Sequence, residues 1–150
     1  MRVFAAAAVA IVAAFIVFAL LTGQSPAVLL AAAILTLVLG LGHSIMGDKK
    51  LITPILEMQG LPAPRGSVRG TRLVLRFGWH LTTLLWCGMA VLLAWMHFVP
   101  ADLSRPFLWM VAVVFCLCGI IPLASGVSGH TSWVYFFLIS ALVSYRLWLG

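Results

Sequence analysis

Residues 27–46 read AVLLAAAILTLVLGLGHSIM, and the next four, Gly47-Asp48-Lys49-Lys50, bring an abrupt run of charge. The first stretch holds no Asp, Glu, Lys or Arg. An apolar helix of about 20 residues matches the hydrocarbon thickness of a bilayer. A helix that is apolar all round offers water no face, and inside lipid a helix satisfies its own backbone polar groups. The stretch is therefore predicted to cross a membrane.

Composition carries this reading outward to the whole chain. Of 150 residues, 64% are hydrophobic and 8% charged, with mean hydropathy +1.19. A soluble domain carries roughly 25% charged residues, so this chain lacks the side chains to cover a water-facing surface. The expected fold is all-α, a polytopic transmembrane helical bundle forming a single domain over 1–150. About five spans are predicted, at 3–21, 27–46, 77–98, 107–124 and 131–149, or four if one of the weaker segments does not cross. The first segment outruns the 7–15 apolar residues of a signal peptide and has only Arg2 before it, so it is read as a retained span. Gly and Pro mark turns at 22–26, 100–102 and 125–129. The third helix is expected to begin ahead of its span, near Gly70. Asp102 or Ser104 is expected to cap the fourth, with Pro106 in its first turn.

The net charge is +6, but six of the nine basic residues lie between Lys49 and Arg76, beside membrane spans. That is the pattern of a cytoplasmic loop meeting anionic headgroups, and it excludes a nucleic-acid stripe. With the N-terminus cytoplasmic, Arg2 and these six fall inside, while Arg105 and Arg146 fall outside with the C-terminus. Within the loop, 48–76, Gly47 is expected to end the second helix and Asp48 to cap a short interfacial one. Leu51, Ile52, Ile55, Leu56 and Gln59 share one side of that helix, and Pro54 limits its length. Arg65, Arg69, Arg72 and Arg76 recur at three- or four-residue spacing and predict a basic helix face for lipid headgroups.

This topology brings three of the four histidines to the cytoplasmic membrane level: His43, His80 and His130. Imidazoles are common metal ligands, and three can hold zinc, copper or iron with a position open; an axial pair can hold haem. Asp48 would add an oxygen ligand if the interfacial helix folds back. Ser44, Thr83, Ser128, Thr131, Trp79 and Trp133 are the expected surrounding groups. The plainer alternative is interfacial histidines that bond loop carbonyls and headgroups. Cys87, Cys116 and Cys118 lie in apolar runs and read as small buried hydrophobes.

Two stretches carry a resemblance. His43-Ser44-Ile45-Met46-Gly47-Asp48-Lys49-Lys50-Leu51-Ile52 resembles an H-S-x-x-G-(E/D)-(R/K)-x-L-I pattern, and Arg76-Phe77-Gly78-Trp79-His80-Leu81-Thr82 resembles R-x-x-W-H-L-T. Together they resemble a family of small bacterial integral membrane proteins, with further likeness at His130-Thr131-Ser132-Trp133. The resemblance implies a bacterial inner membrane and brings no activity with it.

Three functions are expected. The first is a metal- or haem-binding, redox-active membrane protein using the histidine cluster. The second is a small transporter or proton-coupled carrier subunit. The third is a non-catalytic assembly or lipid-interacting protein, with the bilayer, a second copy or another membrane protein as partner. No nucleophile–base pair, phosphate loop or paired carboxylates stand out, which disfavours hydrolase and kinase chemistry.

Overall fold

The computed structural model describes residues 10, 14, 17, 21, 26–63, 66–98, 104–124 and 131–149. The predicted first span, 3–21, lies almost wholly outside the described residues, as do Arg65, the turn at 100–102, Ser128 and His130. Among the described residues the secondary structure is helical, with no strand. The helices are α1 (Pro26–Gly47), α2 (Thr53–Glu57), α3 (Val68–Phe98), α4 (Ser104–Ala124) and α5 (Ser132–Leu149), with a π turn, Asp48–Ile52, between α1 and α2.

Sequence explains most of these bounds. Pro26 opens α1, where its missing N–H costs nothing. α3 starts at Val68, two residues ahead of the expected Gly70. Pro106 falls in the first turn of α4, and Arg146 in the last turn of α5. The continuous segment Val28–Glu57 and α3 are both long and apolar enough to cross a membrane, with 30 and 31 residues. The shorter apolar stretches are Arg105–Ile121 and Ser132–Trp148.

The expected break at Gly47–Asp48 is not there. Gly47 keeps right-handed helical angles (φ −71°, ψ −40°) and no side-chain cap opens the π turn, while the Asp48 carboxylate accepts from the Thr53 hydroxyl. Instead the helix widens for one π turn, in which the Thr53 N–H bonds the Asp48 carbonyl five residues back. Pro54 supplies a reason. Its ring would collide with the carbonyl four residues earlier, that of Lys50, and it has no N–H to offer. A π turn just ahead of it absorbs both defects without ending the helix. The extra residue also rotates the helix beyond it. Ile52 and Leu56 are buried, but Leu51 is 47% exposed and Gln59 lies past the helix end, so the predicted five-residue face is only partly formed. Gly60, at φ 82°, then turns the chain in a conformation that favours glycine.

The chain divides into two compact units, one of Met1–Thr36 with Met89–Gly150, the other Leu37–Gly88. In the first, α4 and α5 pack through Phe115 and Phe136, with ring centroids 6.0 Å apart. Gly119 admits the Phe137 ring so closely that an added Cβ would sit 3.0 Å from it. Two buried hydroxyls in this unit find backbone acceptors: Ser140 donates to the Ala112 carbonyl (2.7 Å) and Thr36 to that of Ala32 (2.8 Å). Both bonds remove the cost of a bare hydroxyl in an apolar setting.

Candidate functional site

The Leu37–Gly88 unit gathers most of the polar residues singled out in the sequence. Residues 40, 43 and 47 share one face of α1 at helical spacing, and 79, 83 and 86 share one face of α3. The small side of α1 meets the large side of α3. A Cβ on Gly40 would touch Trp86 at 3.5 Å, an ordinary contact, whereas one on Gly47 would overlap the Trp79 ring at 2.2 Å. Gly47 therefore serves close helix approach rather than helix termination. Gly42 meets nothing within 4 Å, so the small-residue approach uses Gly40 and Gly47 instead.

His43 fills the space these glycines leave. Its ring stacks on Trp79 (centroids 4.0 Å, planes 14° apart) and meets Trp86 edge-on at 5.0 Å. Trp79 Nε1 donates to the His43 carbonyl at 3.2 Å. Among the described residues, three buried polar atoms have no hydrogen-bond partner: His43 Nε2, Asp48 Oδ1 and the hydroxyl of Thr83, a residue only 8% exposed.

One turn along, a second group forms around Asp48. His80 Nδ1 lies 2.6 Å from the Ser44 hydroxyl, and its Nε2 lies 3.6 Å from Asp48 Oδ1. The tautomer that suits both contacts has Nε2 protonated toward the carboxylate and Nδ1 accepting from Ser44. Arg76 Nε is 3.5 Å from the same Asp48 oxygen, and Arg76 Nη2 donates to the Thr53 hydroxyl at 3.2 Å. Thr53 in turn donates to Asp48 Oδ2 at 3.4 Å. Asp48 is the centre of this network, joining the helical extension to α3 as an ion-pair partner rather than a cap.

Ser44, His80 and Asp48 thus lie side by side, a hydroxyl hydrogen-bonded to an imidazole at 2.6 Å with a carboxylate 3.6 Å beyond, where the sequence offered no nucleophile–base pair. The two residues on the helical segment Pro26–Ile52 and the third on α3 are far apart in the chain, which hid them. Ser44 lies inside α1, where helix bonding consumes the neighbouring backbone N–H groups. Donors for an oxyanion, which acyl transfer needs, are not supplied there by the backbone. The arrangement orients the His80 ring between a hydroxyl and a carboxylate.

Below this network an open groove of about 840 Å³ runs between α2 and the first turns of α3. Its charged lining is Glu57, Arg69, Arg72, Arg76 and His80; Leu56, Leu73 and Phe77 supply its apolar part. Arg76 is tied to Asp48, but Glu57, Arg69 and Arg72 make no ion pair among the described residues. Leu73 and Phe77 are 70% and 63% exposed beside them.

The three-histidine site is only partly addressed by these positions. His43 and His80 share the unit, but His130 and Ser128 lie outside the described residues. Among the described residues no three His, Cys, Asp or Glu side chains group as metal ligands. Trp133 belongs to the other unit and meets Phe137 at 6.3 Å, while the Thr131 carbonyl there accepts from Val134 N–H at 3.2 Å. No family model, curated protein or solved structure matches the chain.

Proposed function

We propose that the chain is a multi-pass protein of a bacterial inner membrane, with about five spans and a cytoplasmic N-terminus, whose Leu37–Gly88 unit binds phosphate-bearing lipid headgroups at the cytoplasmic interface. The observation that carries this reading is the groove: two arginines without an ion pair among the described residues, Arg69 and Arg72, line it together with exposed Leu73 and Phe77. Guanidinium groups recognise phosphate oxygens through paired N–H donors, and neighbouring apolar side chains suit the start of an acyl chain.

The membrane setting rests on α3. At 31 residues it is about 46 Å long, more than the roughly 30 Å of a hydrocarbon core. Its excess length is the arginine-bearing first third. Farther along, Leu84, Leu85 and Val91 are 63–68% exposed, which lipid accepts and water does not. The two motif segments behind the family resemblance are also the two that meet, through Ser44–His80, His43–Trp79 and Asp48–Arg76.

The test is binding of a lipid phosphate by the purified full chain, followed by native mass spectrometry in a mild detergent. Each arginine near an anionic surface contributes about 1 kcal/mol. The double variant Arg69→Gln/Arg72→Gln is expected to lose about tenfold in affinity or more. Equal retention by both proteins rejects the groove as the binding site.

A second reading is favoured by His43, whose buried Nε2 lone pair has no partner. It would serve as one ligand of a transition metal or haem, with His80, once Nε2 loses its proton and leaves Asp48, and His130 as the others. Metal analysis and an optical spectrum of protein purified from membranes decide it. Absence of both bound metal and a Soret band, with no change on His43→Ala, rejects this reading.

A further inference from the structure

The groove holds charges of both signs. Arg69 and Arg72 line it with Glu57, and none of the three is paired with another charged side chain among the described residues. The carboxylates differ in this respect, because Asp48 is already held by Arg76, His80 and Thr53. Glu57 is thus left, among the described residues, as an uncommitted anion lining a basic groove. A site built only for a phosphate gains nothing from it, since like charge repels the ligand.

We infer that the occupant is a zwitterionic lipid headgroup, a phosphodiester carrying a primary ammonium, with its phosphate on Arg69 and Arg72 and its ammonium on Glu57. The inference rests on the headgroup reading above and narrows it to one ligand class. A primary ammonium brings three N–H donors to a carboxylate, whereas a quaternary ammonium brings none. Glu57 therefore discriminates between headgroups of the same net charge. The apolar part of the groove, Leu56, Leu73 and Phe77, then faces the glycerol end of the lipid.

The experiment compares three lipids of equal chain length, bearing phosphoethanolamine, phosphocholine and phosphoglycerol, for retention by the full chain in native mass spectrometry. An exposed ion pair of this kind contributes up to about 1 kcal/mol. The expected preference for phosphoethanolamine over phosphocholine is therefore about two- to fivefold. Glu57→Gln, a surface substitution, is expected to abolish that preference while leaving phosphoglycerol binding at least as strong as before. Arg72→Gln is expected to weaken all three. Equal binding of phosphoethanolamine and phosphocholine by the unaltered chain overturns the inference but leaves the headgroup reading standing, and so does a preference that survives Glu57→Gln. Absence of binding for all three lipids overturns both.

Discussion

Gly47 is the residue on which the packing of the Leu37–Gly88 unit turns. Its missing side chain is what lets Trp79 lie against α1, stacked on His43. A methyl group there would overlap the indole, and overpacking of this kind costs about 1–3 kcal/mol. Gly47→Ala is accordingly expected to lower the thermal unfolding midpoint in detergent and to alter the near-ultraviolet dichroism of the tryptophans. A variant as stable as the parent would mean that Trp79 does not pack against Gly47. His80→Ala removes the acceptor of the Ser44 hydroxyl and leaves Asp48 with Arg76 and Thr53 alone. An unsatisfied polar group costs about 1–3 kcal/mol when buried, and here the lower end applies because the pair is only partly buried. His80→Gln, which keeps a polar nitrogen, is expected to recover part of that loss in the same melting experiment.

These contacts were half legible in the sequence. Antiparallel threading of the two helices predicts that His43 and His80 come close to one level, with Ser44, Thr83 and Trp79 around them, and all five lie in the Leu37–Gly88 unit. What the sequence could not supply was rotation about the helix axis. That rotation decides that His80 faces Ser44 and Asp48 while His43 faces the tryptophans. The signal was present in the spacing of 40, 43 and 47 against 79, 83 and 86, two glycines flanking a histidine opposite two tryptophans flanking a threonine.

At the scale of elements, the instructive feature is the π turn. Glycine then aspartate reads as a stop and a start, and Pro54 reads as a barrier, yet the helix continues through all three. A π turn is an α-helix with one residue too many. Removing that residue, together with the proline that the turn accommodates, restores ordinary helix and preserves the faces on either side. Deletion of Lys50, exposed within the turn, combined with Pro54→Ala, is thus expected to leave a protein that purifies as a monodisperse species with unchanged helical dichroism. Deletion of Met46, inside α1, rotates everything after it by about 100° and takes Asp48 away from Arg76. Loss of monodisperse protein is expected from that deletion. If the two deletions behave alike, the turn does not act as a tolerant insertion. Helix spacing could not reveal the turn, because a single π turn leaves the hydrophobic period on both sides intact.

For the molecule as a whole, the apolar composition made the helical class legible, and the charge asymmetry predicts a sidedness that the experiment below tests. Both derive from one physical fact, that hydrocarbon tolerates satisfied helices and rejects unpaired charge. The sequence was less informative about chemistry, since it weighted histidines that share a level, whereas the described residues group His80 with a carboxylate, an arginine and a hydroxyl. The central claim is that the groove between α2 and α3 meets lipid headgroups on the cytoplasmic side. It is tested most directly by a phospholipid with a photoreactive group in its headgroup, offered to the full chain in sealed inner-membrane vesicles of known orientation. A lipid confined to the cytoplasmic leaflet is expected to label peptides spanning 53–80, and Arg69→Gln/Arg72→Gln to remove most of that label. Labelling of this segment only from the opposite leaflet, or labelling unchanged in the double variant, would contradict it.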